Sequence, residues 1–71
     1  MSDIAKRIKE RRETLRISQS ELARRIGVSQ VSVSMYESGE TTPKLLIAAK
    51  LASVLGMTCE ELVNGKANEN E

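Results

Sequence analysis

Histidine, tryptophan and phenylalanine are absent from the 71 residues, and cysteine, proline and tyrosine occur once each, as Cys59, Pro43 and Tyr36. A single cysteine excludes an internal disulfide, and the lack of histidine excludes a Cys/His zinc site and a histidine general base. One unpaired thiol fits a reducing, cytoplasmic setting. No apolar run approaches the ~18 residues of a membrane span, and the opening MSDIAKRIKE is too charged for a signal peptide. A chain this short buries only ~60% of its unfolded surface, so a deep catalytic cleft is not expected. With no nucleophile–base pair, carboxylate dyad or metal cluster in view, the expectation is a non-enzyme without metal, cofactor or small-molecule substrate.

What is present favours helices. Arg, Lys, Glu, Leu and Ala are common and Gly numbers four, so an all-α domain with a Leu/Ile/Val/Ala core is expected. The net charge of +1 is unevenly spread: residues 1–27 hold eight Lys/Arg against four Asp/Glu, net +4, and residues 28–71 hold three against six, net −3. A basic half suits either a solvated helix surface or a polyanion partner.

Caps and periodicity divide the chain. Ser2 or Asp3 caps a first helix to about Leu15, with Ile4, Ile8 and Leu15 on one stripe, Ala5 at its edge and Arg12 on its shoulder. Ser18 to Glu21 reads as a capping box opening a second helix, with Leu22, Ala23 and Ile26 inward and Gly27 as its stop. Thr42 caps a fourth helix with Pro43 in its first turn, and Leu45, Ala48, Leu51, Ala52 and Leu55 form its inward face up to Gly56. Thr58 to Glu61 is a second capping box, opening a short fifth helix through about Val63. The organisation expected is a domain over residues 1–65 and a frayed tail at 66–71.

The stretch between Gly27 and Ser38 is ambiguous. Val28, Ser29, Gln30, Val31, Ser32, Val33 and Ser34 nearly alternate apolar and polar, as in a half-buried strand, but no second run of that character exists to pair with it. Ser29 is an N-cap two residues after Gly27, and a third helix from there to about Glu37 resolves the pattern. Ser32, Val33 and Tyr36 then share one side, and Gln30, Val31, Ser34 and Met35 the other. Val31 and Val33 lie about 200° apart, so only one belongs to the core.

Two helices joined by a three-residue turn, at about 19–38, describe a helix-turn-helix. From Ile8 to Val63 the sequence resembles the DNA-binding domain of lambdoid phage repressors and Cro proteins, the Cro/CI (XRE-type) family. The residues carrying the resemblance are Ile8 and Arg12, SQSELARRIGVSQ, Tyr36-Glu37-Ser38-Gly39, Pro43, Leu51-Ala52 and Leu55-Gly56. It spans about four-fifths of the chain, leaving no room for a second domain; a longer parent with a separate dimerisation domain and a naturally short regulator are both open. The resemblance implies a compact five-helix, lambda-repressor-like fold binding a double-stranded DNA operator, with the third helix in the major groove.

By that resemblance Gln30, Val31, Ser34 and Met35 read bases, the same outward set given by helix angles. Gln30 suits adenine, and Val31 and Met35 suit thymine methyls; packing of Val31 and Met35 on a neighbouring subunit or loop is the alternative. This face departs from many family members in having no Arg or Lys, which argues against guanine and for an A/T-containing half-site. Gln19, Thr41, Thr42 and Lys44 would contact the DNA backbone at helix N-termini, with Ser29 serving as cap or phosphate ligand. Arg7, Arg11, Arg16, Arg24 and Arg25 would add diffuse charge. The resemblance further implies a structural ion pair between Arg12 and Glu37.

Ile47 and Val54 line up opposite the expected core, near Leu46. Either helix 1 or helix 5 covers part of that surface or, left open, it forms with Met57, Cys59 and Glu61 a possible interface for a monomer or weak homodimer that tightens on DNA; a buried Cys59 is the other option. Competing functions are a restriction–modification controller, an antitoxin repressing its own operon, and a protein-interaction module on the same fold.

Overall fold

The computed structural model describes residues 3–65. Five helices follow one another: α1 (Asp3–Thr14), α2 (Gln19–Ile26), α3 (Gln30–Ser38), α4 (Leu45–Leu55) and α5 (Cys59–Asn64). No strand occurs among the described residues, so the alternating stretch is helical. The expected tail at 66–71 and the Ser2 cap lie outside the described residues.

The breaks between elements follow local chemistry. The Ser18 hydroxyl accepts the Glu21 amide at 3.0 Å, and the Ser29 hydroxyl accepts the Ser32 amide at 3.1 Å. Between them Gly27 adopts φ +77°, and a Cβ placed there would touch nothing within 4 Å. The backbone conformation alone therefore favours glycine at this turn. At α5 both arms of the Thr58–Glu61 capping box form.

α1 packs on α3, α4 and α5, and α2 bridges α3 and α4. Their shared core is aliphatic: Ile8, Leu22, Ile26, Val33, Leu51, Leu55 and Leu62 are fully buried, joined by Ala23, Ala48, Ala52 and Tyr36. Ala23, in the core face of α2, is buried, and its small side chain suits the close packing of α2 on α3.

Five expectations are corrected. Leu15 is 41% exposed, because α1 stops at Thr14 and Arg16 turns the chain through a left-handed φ of 62°. Ile17 packs against the core in its place. α4 begins two residues later than read: Lys44 is its N-cap, extended and without a side-chain cap, while Pro43 is buried beside it. Leu45, at that first position, is 82% exposed. At α2 only half of the capping box forms, since the Glu21 carboxylate binds Arg24 and Arg25 instead of the cap amide. Ile47 and Val54 are partly buried against the core, as is Met57, so they do not lie opposite it.

Candidate nucleic-acid interface

α3 has two different sides. Val33 and Tyr36 are buried and Ser32 is half-buried, anchoring the helix from beneath. Gln30, Val31 and Ser34 are exposed, Val31 at 66%, and Met35 is half-buried. An exposed valine costs little singly, but next to Met35 it makes an apolar strip on a side with no charge. The first turn of α3 holds no acid, so its free amides present an undiminished positive dipole end.

The far end of α3 is held by charge. The Arg12 guanidinium grips both Glu37 carboxylate oxygens, Nε to Oε2 at 2.6 Å and Nη2 to Oε1 at 3.0 Å. Its third nitrogen donates to the Ile17 carbonyl at 2.9 Å. The two side chains are 12% and 4% exposed, so water does little to screen them. Burial would push the Glu37 carboxyl up, but hydrogen bonds from Arg12 and Gln19 outweigh it and hold it below its usual value of 4.5. The bond to Glu37 likewise raises Arg12 against the effect of its own burial. No buried side-chain nitrogen or oxygen among the described residues is left without a partner.

The residues assigned to the DNA backbone are placed unequally. Gln19 turns its amide inward, Nε2 donating to Glu37 Oε1 at 3.0 Å, which ties the start of α2 to the end of α3. The Ser29 hydroxyl serves as the α3 cap. Thr41 and Thr42 are exposed, and the Thr41 amide donates to the Met35 carbonyl at 3.3 Å. Lys44 is exposed at the N-cap of α4, where no side chain satisfies the first amides. Lys9, Arg12, Gln19, Ser34, Glu37 and Ser38 line a shallow cleft beside α3.

A profile of the helix-turn-helix family matches residues 8–62. The chain belongs to this family. An HTH-type transcriptional regulator of Methanothermobacter thermautotrophicus is 39% identical over 49 residues, 69% of this chain and 71% of the relative. The cryptic phage CTXphi transcriptional repressor RstR of Vibrio cholerae is 34% identical over 59 residues, 83% of this chain and 53% of that protein. Among solved structures, the P22 c2 repressor in complex with a synthetic operator superimposes with a TM-score of 0.88 at 32% identity, covering 93% of this chain and all of that one.

Within this helix-turn-helix chain several arginines do other work than diffuse charge. Arg7 Nη1 donates to the carbonyls of Leu62 and Val63 at 2.9 and 3.1 Å, and Arg11 Nε donates to Leu55 at 2.8 Å. Both satisfy carbonyls at helix C-termini, of α5 and α4, where a cation also suits the dipole. Arg24 and Arg25 share Glu21, whose carboxyl their hydrogen bonds draw down. The i, i+4 spacing of Arg7 and Arg11 is a signal that they share one side of α1, but nothing in the sequence names their carbonyl partners.

The residues proposed for a subunit interface divide likewise. Ile47, Val54 and Met57 pack on the core, Glu61 accepts the Thr58 amide at 2.9 Å, and Cys59 is exposed. One contact escaped the sequence reading altogether: the Ser20 hydroxyl donates to Gln30 Oε1 at 2.7 Å, linking α2 to the first residue of α3.

Proposed function

We infer that this chain is a sequence-specific, double-stranded DNA-binding regulator of transcription, acting as a repressor, with α3 seated in the major groove. The observation that carries the reading is the two-sidedness of α3, buried at Val33 and Tyr36 and offering Gln30, Val31, Ser34 and Met35 on its other side. An α-helix is about 10–12 Å across and the major groove about 12 Å wide, so one helix fits. Gln30 forms paired hydrogen bonds with adenine, and Val31 with Met35 contacts thymine methyls. The uncharged reading side supports an A/T-containing half-site.

Free amides at the starts of α2 and α4 take phosphates, beside Gln19 and beside Thr41, Thr42 and Lys44. The Ser29 hydroxyl, engaged as a cap, adds at most a shared contact. Arg12 and Glu37 set the angle of α3 without touching DNA. The operator held by the P22 c2 repressor supports this assignment for a chain that superimposes on that repressor over 93% of its length. The protein works in the cytoplasm as a weak homodimer that tightens on DNA, because Ile47, Val54 and Met57 are partly buried within the protomer and leave less apolar surface for a partner.

Selecting bound sites from random duplexes, then titrating the selected duplex against salt, tests the reading. An enriched A/T-containing half-site and a slope of log K on log salt near −0.9 per phosphate contact are expected. No enriched sequence and a flat salt response would refute it. That outcome would favour a protein-interaction module, for which the exposure of Leu45 (82%) and Leu46 (68%) is the supporting observation.

A further inference from the structure

Gln30 is the first residue of α3 and its side chain is exposed, so its three rotatable bonds would leave the amide spread over many orientations in water. The structure restrains it by a contact from another helix. Ser20, in the first turn of α2, donates its hydroxyl proton to Gln30 Oε1 at 2.7 Å. α2 itself is fixed beneath by Leu22, Ala23 and Ile26, and the neighbouring Gln19 is bonded to Glu37, so the hydroxyl sits on a rigid platform.

We propose that Ser20 is a specificity-determining positioning residue: its hydroxyl holds the Gln30 carboxamide so that Nε2 faces outward as a hydrogen-bond donor and Oε1 keeps one lone pair beside it. The inference rests on the assignment of Gln30 to base reading. A carboxamide so held matches adenine, whose N6–H donates to Oε1 while N7 accepts from Nε2. Guanine presents O6 where adenine presents N6–H, and two acceptors then face each other. An unrestrained carboxamide would relieve that clash by swinging Oε1 away from the base and offering Nε2 alone to O6 or N7, and the Ser20 bond opposes that swing. Ser20 therefore discriminates between the two purines without touching either. The contact is exposed in the free protein and competes with water; its effect grows when the groove closes over α3 and water is displaced.

The test compares the full chain with Ser20→Ala, Ser20→Thr, Gln30→Ala and the double variant Ser20→Ala/Gln30→Ala. Each is bound to the selected duplex and to a set with every position changed in turn. Gln30→Ala is expected to relax discrimination at one base pair. Ser20→Ala is expected to lower the adenine-over-guanine ratio at that same base pair by about three- to tenfold, the worth of one ordinary hydrogen bond. Ser20→Thr should restore the ratio, the double variant should lose no more than Gln30→Ala alone, and Tm and the salt slope should be unchanged throughout. If Gln30→Ala relaxes one position while Ser20→Ala leaves it untouched, the positioning role is overturned and the base-reading role stands. If Gln30→Ala relaxes none, both fall.

Discussion

Arg12 uses all three guanidinium nitrogens, two on Glu37 and one on the Ile17 carbonyl, and so ties α1, the turn after it and α3 to a single planar group. Removing one partner of so enclosed a pair leaves the other charge without compensation. Glu37→Ala should therefore lower stability by about 3 kcal/mol. For a domain of this size that is a fall in Tm of roughly 10 °C or more, readable by calorimetry. The pair also has a pH signature. Because the folded-state Glu37 carboxyl lies below 4.5, its contribution is complete above that value and is lost as pH falls through the folded value. Melting curves between neutrality and pH 3 should show an acid loss of stability that is shallower in Glu37→Gln, whose amide does not titrate. Equal acid slopes in the two proteins would remove Glu37 from this role.

At the scale of elements, the turn between α2 and α3 and the ends of α4 and α5 are held by different means. Gly27 has a left-handed backbone and open space around its missing Cβ, so Gly27→Ala should cost about 1–2 kcal/mol through conformation alone. The enriched operator should be unchanged in that variant, since no side chain on α3 moves; a shifted site preference would mean the turn also sets the helix angle. The C-terminus of α4 depends on Arg11, whose Nε bonds the Leu55 carbonyl. Arg11→Met keeps most of the stem's packing and removes the donor. A loss of about 1 kcal/mol in denaturant unfolding is expected, together with an unaltered salt dependence of DNA binding. A shallower salt slope would place Arg11 on a phosphate.

The whole molecule is basic toward its first half, yet much of that charge is internally committed. Arg7 and Arg11 are on carbonyls, Arg12 is on Glu37, and Arg24 and Arg25 are on Glu21. Attraction to DNA then falls chiefly to helix N-termini and to the exposed Lys6, Lys9, Arg16, Lys44 and Lys50, and tight binding is expected to need two protomers acting together. Sedimentation equilibrium at micromolar concentration should find mainly monomer. Adding a duplex with both half-sites should give two chains per duplex, and a duplex with one half-site should bind markedly more weakly. Equal affinity for the two duplexes would rule out cooperative pairing.

Local chemistry along the chain settled the five helices and the sidedness of α3. A cap hydroxyl bonds an amide three residues on, a glycine turns the next peptide, and apolar spacing of three and four residues marks one flank; all of these depend only on neighbours in sequence. The pairing of Arg12 with Glu37 was reached through family resemblance instead, since periodicity placed Arg12 only on the shoulder of its stripe. Tertiary structure alone decided the rest. Arg7 and Arg11 meet carbonyls 44 to 56 positions away, Gln19 turns toward Glu37, and Ser20 reaches Gln30. Leu15 and Leu45 fit an apolar stripe by spacing but stand at its ends and are exposed. Which carbonyl a guanidinium finds, and where a stripe runs out of cover, depend on how far each helix extends past its neighbours, a quantity set by the packing of all five together.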